Sequence, residues 1–310
     1  MTAPDLSPAP EGPPLKVPQA NVPLVARAFR SLLSGDPNGT PPWVARIATG
    51  DADCLVEPEG PSWVVHGSLS TLVGGVRALM MQALQPGAVT GVAEHSAYRT
   101  DTIGRLRRTT QWLVITTFAD VATAQATAAA VRSMHERVAG TGPDGRPYSA
   151  SDPDLLRWVH DAFTDSFLTA HLALGSREIP GGPDAYVAEW AASAELLGAT
   201  ELPQTQAELR AQLDVYRADP GFGRAPATED VAAFLRAPNL PIAYRAPYRV
   251  LALAAAATLD PADAALLGLP QRAGAVKAAR GLIDILMWAL SSTSPAERAA
   301  RLRLGLQPPG

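Results

Sequence analysis

The chain has 310 residues, 47% of them apolar and 18% charged, with a net charge of −4. That balance excludes global disorder, and the length allows one large core without help from disulfides. The slight excess of acids over bases excludes a nucleic-acid-binding surface built on bulk positive charge, and the single cysteine, Cys54, excludes an internal disulfide framework or a multi-cysteine metal site.

Residues 1–22 read as a flexible proline-rich arm, without the basic and continuously apolar regions of a secretory signal. No integral membrane segment is expected, because VLALAAAATL at 250–259 is too short for a span, and the chain reads as cytoplasmic. Residues 23–310 read as one helical domain. Pro23 is placed to start a helix over 24–33, and SGDPNGTPP breaks it. The stretch 43–63 has mixed polarity, with Pro58 and Pro61 marking turns, and predicts little regular structure. From Ser68 a helix runs to a stop at Pro86-Gly87; its Gly74-Gly75 pair permits close approach of another helix or of a ligand.

The next helix begins near Thr102 or Ile103, although the β-branched run Val114–Thr117 keeps a strand open locally. Asp120 is a cap for a helix whose apolar stripe, Val131, Met134, His135 and Val138, follows i, i+3, i+4, i+7 spacing and ends before Gly140. After a loop at 141–153, Asp152-Pro153 starts a helix of about five turns. Further helices are expected over 185–197, 204–218, 227–235, 248–259, 271–290 and 296–304. The fold class is therefore all-α, a single-domain helical bundle.

Helical spacing places Arg105, Arg108, Thr109 and Trp112 on one face at i, i+3, i+4 and i+7. Two guanidinium groups in an apolar region need carboxylates or a bound anion to compensate them. His135 on its stripe is either a satisfied core histidine or a metal ligand. His160 and His171 lie about 16 Å apart along an ideal helix and cannot chelate one ion together. Glu94-His95-Ser96 with Asp161 or Asp165 lacks the G-x-S-x-G turn of a serine hydrolase. No H-E-x-x-H, P-loop or G-x-G-x-x-G pattern occurs, and Cys54 has no C-x-x-C-H context for covalent haem.

The ordered fragments GGVRAL from Gly74, QALQPG from Gln82, GVAEHS from Gly91, GRLRRT from Gly104, HERVAG from His135 and YSASDPDLLRWVH from Tyr148 resemble the latex-clearing protein and MpaB-type oxygenase family over roughly residues 50–290. The resemblance implies an all-α core with a buried pocket holding haem b noncovalently. His135 matches the proximal iron ligand, and Arg105, Arg108 and Thr109 match the haem-pocket arginine, basic residue and threonine. Arg108 stands where the rubber-cleaving branch has lysine, which keeps the charge but changes its hydrogen-bond geometry. Arg132 fits an R-x-x-H arrangement that organises the pocket or a propionate. Glu94 and His95 are candidates for proton transfer. Characterised relatives cleave isoprenoid double bonds with dioxygen, so the resemblance implies dioxygen as cosubstrate and a small apolar molecule, an alkene or isoprenoid, as substrate. Two other readings stay open: a noncatalytic haem- or ligand-binding sensor, and a structural helical scaffold whose Arg and His residues form internal pairs. The oligomeric state is not legible in the sequence.

Overall fold

A computed structural model describes residues 23–290 and 293–307; the arm assigned to residues 1–22 lies outside them. Helices dominate. The first five are α1 (Leu24–Ser34), α2 (Pro42–Thr49), α3 (Pro61–Gly67), α4 (Thr71–Gln82) and α5 (Pro86–His95). The middle of the chain holds α6 (Thr102–Phe118), α7 (Val121–His135), a hairpin of β1 (Ala139–Thr141) and β2 (Pro147–Ser149), and α8 (Pro153–Leu174). The C-terminal part adds α9 (Gly182–Glu195), α10 (Gln206–Arg217), α11 (Pro226–Arg236), α12 (Ile242–Ala257), α13 (Pro261–Leu266), α14 (Ala275–Leu290) and α15 (Pro295–Leu304). The two strands pair antiparallel with Gly140 opposite Tyr148; β2 falls in the stretch expected to be a loop, and β1 follows α7, which stops at His135 rather than reaching Val138.

The expected caps are in place. Asp120 Oδ1 accepts from Thr123 N at 2.8 Å, and Asp152 Oδ1 accepts from Asp154 N at 2.8 Å ahead of Pro153. The β-branched run in α6 is helical, and its threonines adapt by donating to the preceding turn: Thr116 to Trp112 O at 2.7 Å and Thr117 to Leu113 O at 2.7 Å. The stretch 43–63 is more regular than its polarity predicts. Pro42, read as part of a helix-breaking segment, and Pro61, read as a turn marker, each stand in the first turn of a helix, where a missing N–H removes no bond, while Pro58 lies in a turn as expected. In α12 the helix begins before Pro247 rather than after it, at the cost of one backbone bond.

The longest helix, α8, packs against α4, and both feed one continuous core that includes Trp63, Phe118, Trp158, Phe167 and Tyr186. A Cβ built on Gly74 would fall 2.7 Å from Phe167 Cδ1 and 3.1 Å from Ser166 O, so the two backbones meet where there is no side chain. Beside this contact the buried Arg77 pairs with Asp165 at 2.7 Å and donates to Ser166 Oγ at 2.8 Å and Thr258 O at 3.2 Å. Gly75 is different: nothing lies within 4 Å of its missing Cβ, and it borders a cavity.

These neighbours should respond oppositely to alanine. Gly74→Ala overpacks a helix contact and is expected to cost about 1–3 kcal/mol. Gly75→Ala gains helix propensity and is expected to be neutral or stabilising by up to about 1 kcal/mol. Urea unfolding of the two variants measures both, and equal destabilisation would contradict the packing described.

Candidate functional site

The cavity bordered by Gly75 has a volume of about 1010 Å³, at the upper end of the range typical of ligand pockets. Its walls are mostly aliphatic and aromatic, with Leu69, Leu72, Leu79, Phe163, Phe167 and Phe234 among them. Helix α6 contributes one face at helical spacing: Thr102, Arg105, Leu106, Thr109, Thr110 and Leu113.

Three arginines sit within one turn of α6, and each has a different role. Arg107 Nη2 and Nε donate to Ser31 O at 2.7 Å and Leu32 O at 3.1 Å, satisfying carbonyls at the C-terminal end of α1. Arg108 Nη1 reaches back to Asp101 Oδ2 at 3.2 Å, while the other oxygen of Asp101 caps α6 by accepting from Gly104 N at 3.0 Å. Arg105 alone turns into the cavity wall, where Nη1 donates to Ser96 Oγ at 3.0 Å. No carboxylate among the described residues pairs with it. Burial first, and the nearby Arg108 charge second, press its pKa down to about 10, which leaves it a cation at neutral pH. A guanidinium held this way, in an apolar cavity without a counter-ion, is an anion-receiving group.

The histidines divide by whether both nitrogens are occupied. His66 lines the cavity but is satisfied: Thr117 donates its own proton elsewhere and so accepts from Nδ1 at 2.8 Å, leaving Nε2 to accept from Tyr186 Oη at 2.9 Å. Desolvation lowers it to about 3, so it stays neutral. His171, also in the wall, donates from Nε2 to Arg177 O at 2.8 Å; its buried Nδ1 therefore carries a lone pair and has no partner. His135 is the last residue of α7, on the inward stripe with Ala124, Ala128 and Val131. Its Nδ1 is also buried without a partner, and burial lowers its pKa, which favours a neutral imidazole. His135 is not among the residues lining the large cavity. Arg132, one turn earlier on α7, donates to Leu196 O just beyond α9 and lies on the surface.

Glu94 and His95 come together through Tyr148 of β2. The phenol donates to Glu94 Oε2 and accepts from His95 Nε2 at 3.0 Å; burial, then the carboxylate, push Tyr148 up to about 12. Glu94 and His95 are exposed and Tyr148 is buried, and none of the three lines the cavity. Sequence reasoning thus found Arg105 and Thr109 on the cavity face; it missed Tyr98 and weighed His171 only as a metal partner of His160, not as part of the wall opposite them. His171 and Tyr98 became visible only when α8 and the segment after α5 folded onto α6. A signal existed for His171, since it follows Phe167 by one turn and Phe163 by two on a single helical face.

Buried titratable groups also lie outside the cavity wall. Asp161 of α8 is fully buried with both carboxylate oxygens unpartnered, and desolvation raises it to about 8. His160 beside it is lowered by burial to about 4, its Nε2 lying 3.2 Å from Thr164 Oγ1. Among the described residues no group of three or more His, Cys, Asp or Glu side chains is arranged to hold a metal ion. No single described helix is long and apolar enough to cross a membrane; the bent pair of α3 and α4 meets the length and composition test at an angle of 93°, but its residues form core.

Because the native Asp161 holds its proton up to about pH 8 while the unfolded carboxyl releases it near 4, stability falls as pH rises through that window. The depressed His66 and His160 act with the opposite sign, removing stability as pH falls below about 6.5. Asp161→Asn is therefore expected to raise Tm at pH 8 by several degrees and to leave Tm at pH 4 nearly unchanged. Thermal unfolding at both pH values measures this; an equal change at each would mean that the carboxyl is not held neutral.

Residues 63–291 match the family described as ER-bound oxygenase mpaB/B'/Rubber oxygenase, catalytic domain. No curated protein and no solved structure matches the chain significantly. The match takes in α4, α6 and α8 with the cavity wall they contribute, and α7 with His135, and the chain belongs to this family.

Proposed function

We propose that the protein is a haem b-dependent oxygenase acting on a small apolar substrate, an alkene or isoprenoid. The observation that carries this reading is Arg105, a cation without a counter-ion in the wall of a large apolar cavity. A haem fits that environment: its propionates are the anions that Arg105 lacks, and its macrocycle needs apolar walls. One axial ligand requires one imidazole rather than a cluster of acids and histidines. Bound there, haem b would supply the iron chemistry that activates dioxygen toward a double bond.

The chain's own residues have distinct tasks in this reading. Arg105 fixes an anionic edge, and Thr109, one turn along the same face, offers a hydroxyl beside it. Leu72, Leu79, Phe163 and Phe167 exclude water and hold an apolar molecule by shape. His135 is the axial ligand by its position in the family pattern and has a buried, unpartnered Nδ1, but it stands outside the residues that line this cavity. Arg132 steadies the end of α7 through Leu196 O, and Arg108 supports Asp101 at the start of α6. The hydrogen-bonded Glu94–Tyr148–His95 chain is the candidate path for protons. One observation favours a second assignment of the ligand: His171 lines the cavity itself, with its tautomer set by Arg177 O so that Nδ1 is bare.

Absorbance spectra and haem-to-protein ratios of the wild type, His135→Ala and His171→Ala separate the two. About one haem per chain, with the Soret band shifted or weakened only in His135→Ala, is expected. A change confined to His171→Ala moves axial ligation to the cavity wall. Folded wild type that neither retains nor takes up haem overturns the proposal. Retained haem without oxygen consumption on isoprenoid alkenes favours a ligand-binding or sensing protein.

A further inference from the structure

Three helices frame the opening of the cavity, and they carry most of the large exposed apolar side chains among the described residues. Val25 and Ala28 of α1, Ala243 and Pro247 of α12 and Met287 of α14 line the cavity and are also solvent-exposed, so the cavity opens between these helices. The three are held together: Tyr244 Oη donates to Ala28 O at 3.3 Å, Arg30 Nη2 donates to Leu290 O at 3.4 Å, and α12 packs along α14. Around the opening the same helices expose large apolar side chains. Trp288 is 88% exposed, Ile242 83%, Leu24 82% and Ile285 63%. Ile285 and Trp288 are one turn apart and form a single outward ridge on α14. Exposed apolar side chains clustered on neighbouring helices mark a surface that another phase or molecule covers.

Charge identifies the occupant. These helices carry Arg27, Arg30, Arg245, Arg249, Lys277 and Arg280 against one acid, Asp284, in a chain whose net charge is −4. None of the six cations forms an ion pair with a carboxylate among the described residues. An exposed tryptophan and aliphatic residues interleaved with unpaired arginine and lysine match the headgroup boundary of an anionic bilayer: apolar tips insert below the phosphates while the cations stay among them. We propose that the collar formed by α1, α12 and α14 docks on an anionic lipid surface, so that the cavity opens onto the membrane and loads an apolar ligand from it without a spanning helix. The loading step rests on reading the cavity as the seat of an apolar molecule; the docking step does not.

The test is co-sedimentation of the full chain with vesicles of phosphatidylcholine alone and of phosphatidylcholine mixed with phosphatidylserine. Preferential binding to the mixed vesicles, weakened by salt, is expected. Arg249→Glu with Lys277→Glu should lower that binding by about tenfold or more, since each basic residue near the surface contributes about fivefold. Trp288→Ser with Ile242→Ser should weaken it by removing the inserted groups. All four positions are exposed and lie outside the cavity wall, so folding and haem content serve as controls. Absence of binding to mixed vesicles, or binding that neither double variant changes, overturns docking. Dimerisation abolished by Trp288→Ser, with no vesicle binding, assigns the collar to a second copy and also overturns it. Uptake of a fluorescent isoprenoid by vesicle-free protein reads the cavity separately: vesicle binding without uptake leaves docking standing and removes only the loading step.

Discussion

The contact between α4 and α8 at Gly74 is the constraint on which the site depends. Close approach there lets the longest helix lie against the glycine-bearing one, and it brings Arg77 within 2.7 Å of Asp165, so that a charge pair is sealed beside the contact. A buried pair of this kind adds little net stability, but breaking it would leave an uncompensated charge, so it specifies how the two helices sit. Phe163, Phe167 and His171 then fall on the face of α8 that looks across the cavity toward α6. One residue after Gly74, the same helix turns from packing to bordering open space.

The second determinant is how α6 divides its arginines. A helix with three guanidinium groups in four residues would be costly to bury unless each had a partner. Arg107 takes the end of α1 and Arg108 takes Asp101, which at once anchors α1 at the cavity opening and fixes the start of α6. Arg105 is left facing an apolar volume with only a serine hydroxyl. The functional reading follows from that imbalance, and family membership names the kind of group that would redress it.

Much of the scaffold was legible because it rests on local chemistry. Asp120 and Asp152-Pro153 announce helix starts through a side-chain acceptor and a ring that needs no N–H, and the structure uses them so. The glycine pair signalled close approach, and a helix makes it at Gly74, whereas Gly75 borders open space. Where local signals have two meanings the reading failed: Pro42 looks like a helix breaker and Pro61 like a turn, but both start helices, because the apolar partners that stabilise α2 and α3 lie on α15 and α9. The arginine cluster on α6 was visible, yet its division was not, since Ser31, Leu32 and Ser96 are brought to it only by tertiary packing. His171 shows the same limit: a histidine on an apolar face gains meaning only when its second nitrogen is seen to be engaged by Arg177 O.

The central claim is that Arg105 receives the anionic edge of a bound group in this cavity. Its most direct test compares binding of haem with binding of haem dimethyl ester, whose propionates carry no charge, to wild type and Arg105→Gln. The account predicts that wild type prefers haem over the ester by about tenfold or more, as befits a charge-assisted bidentate contact, and that Arg105→Gln removes this preference while still binding the ester. Equal affinity of wild type for the two, or a preference that survives the substitution, would contradict it.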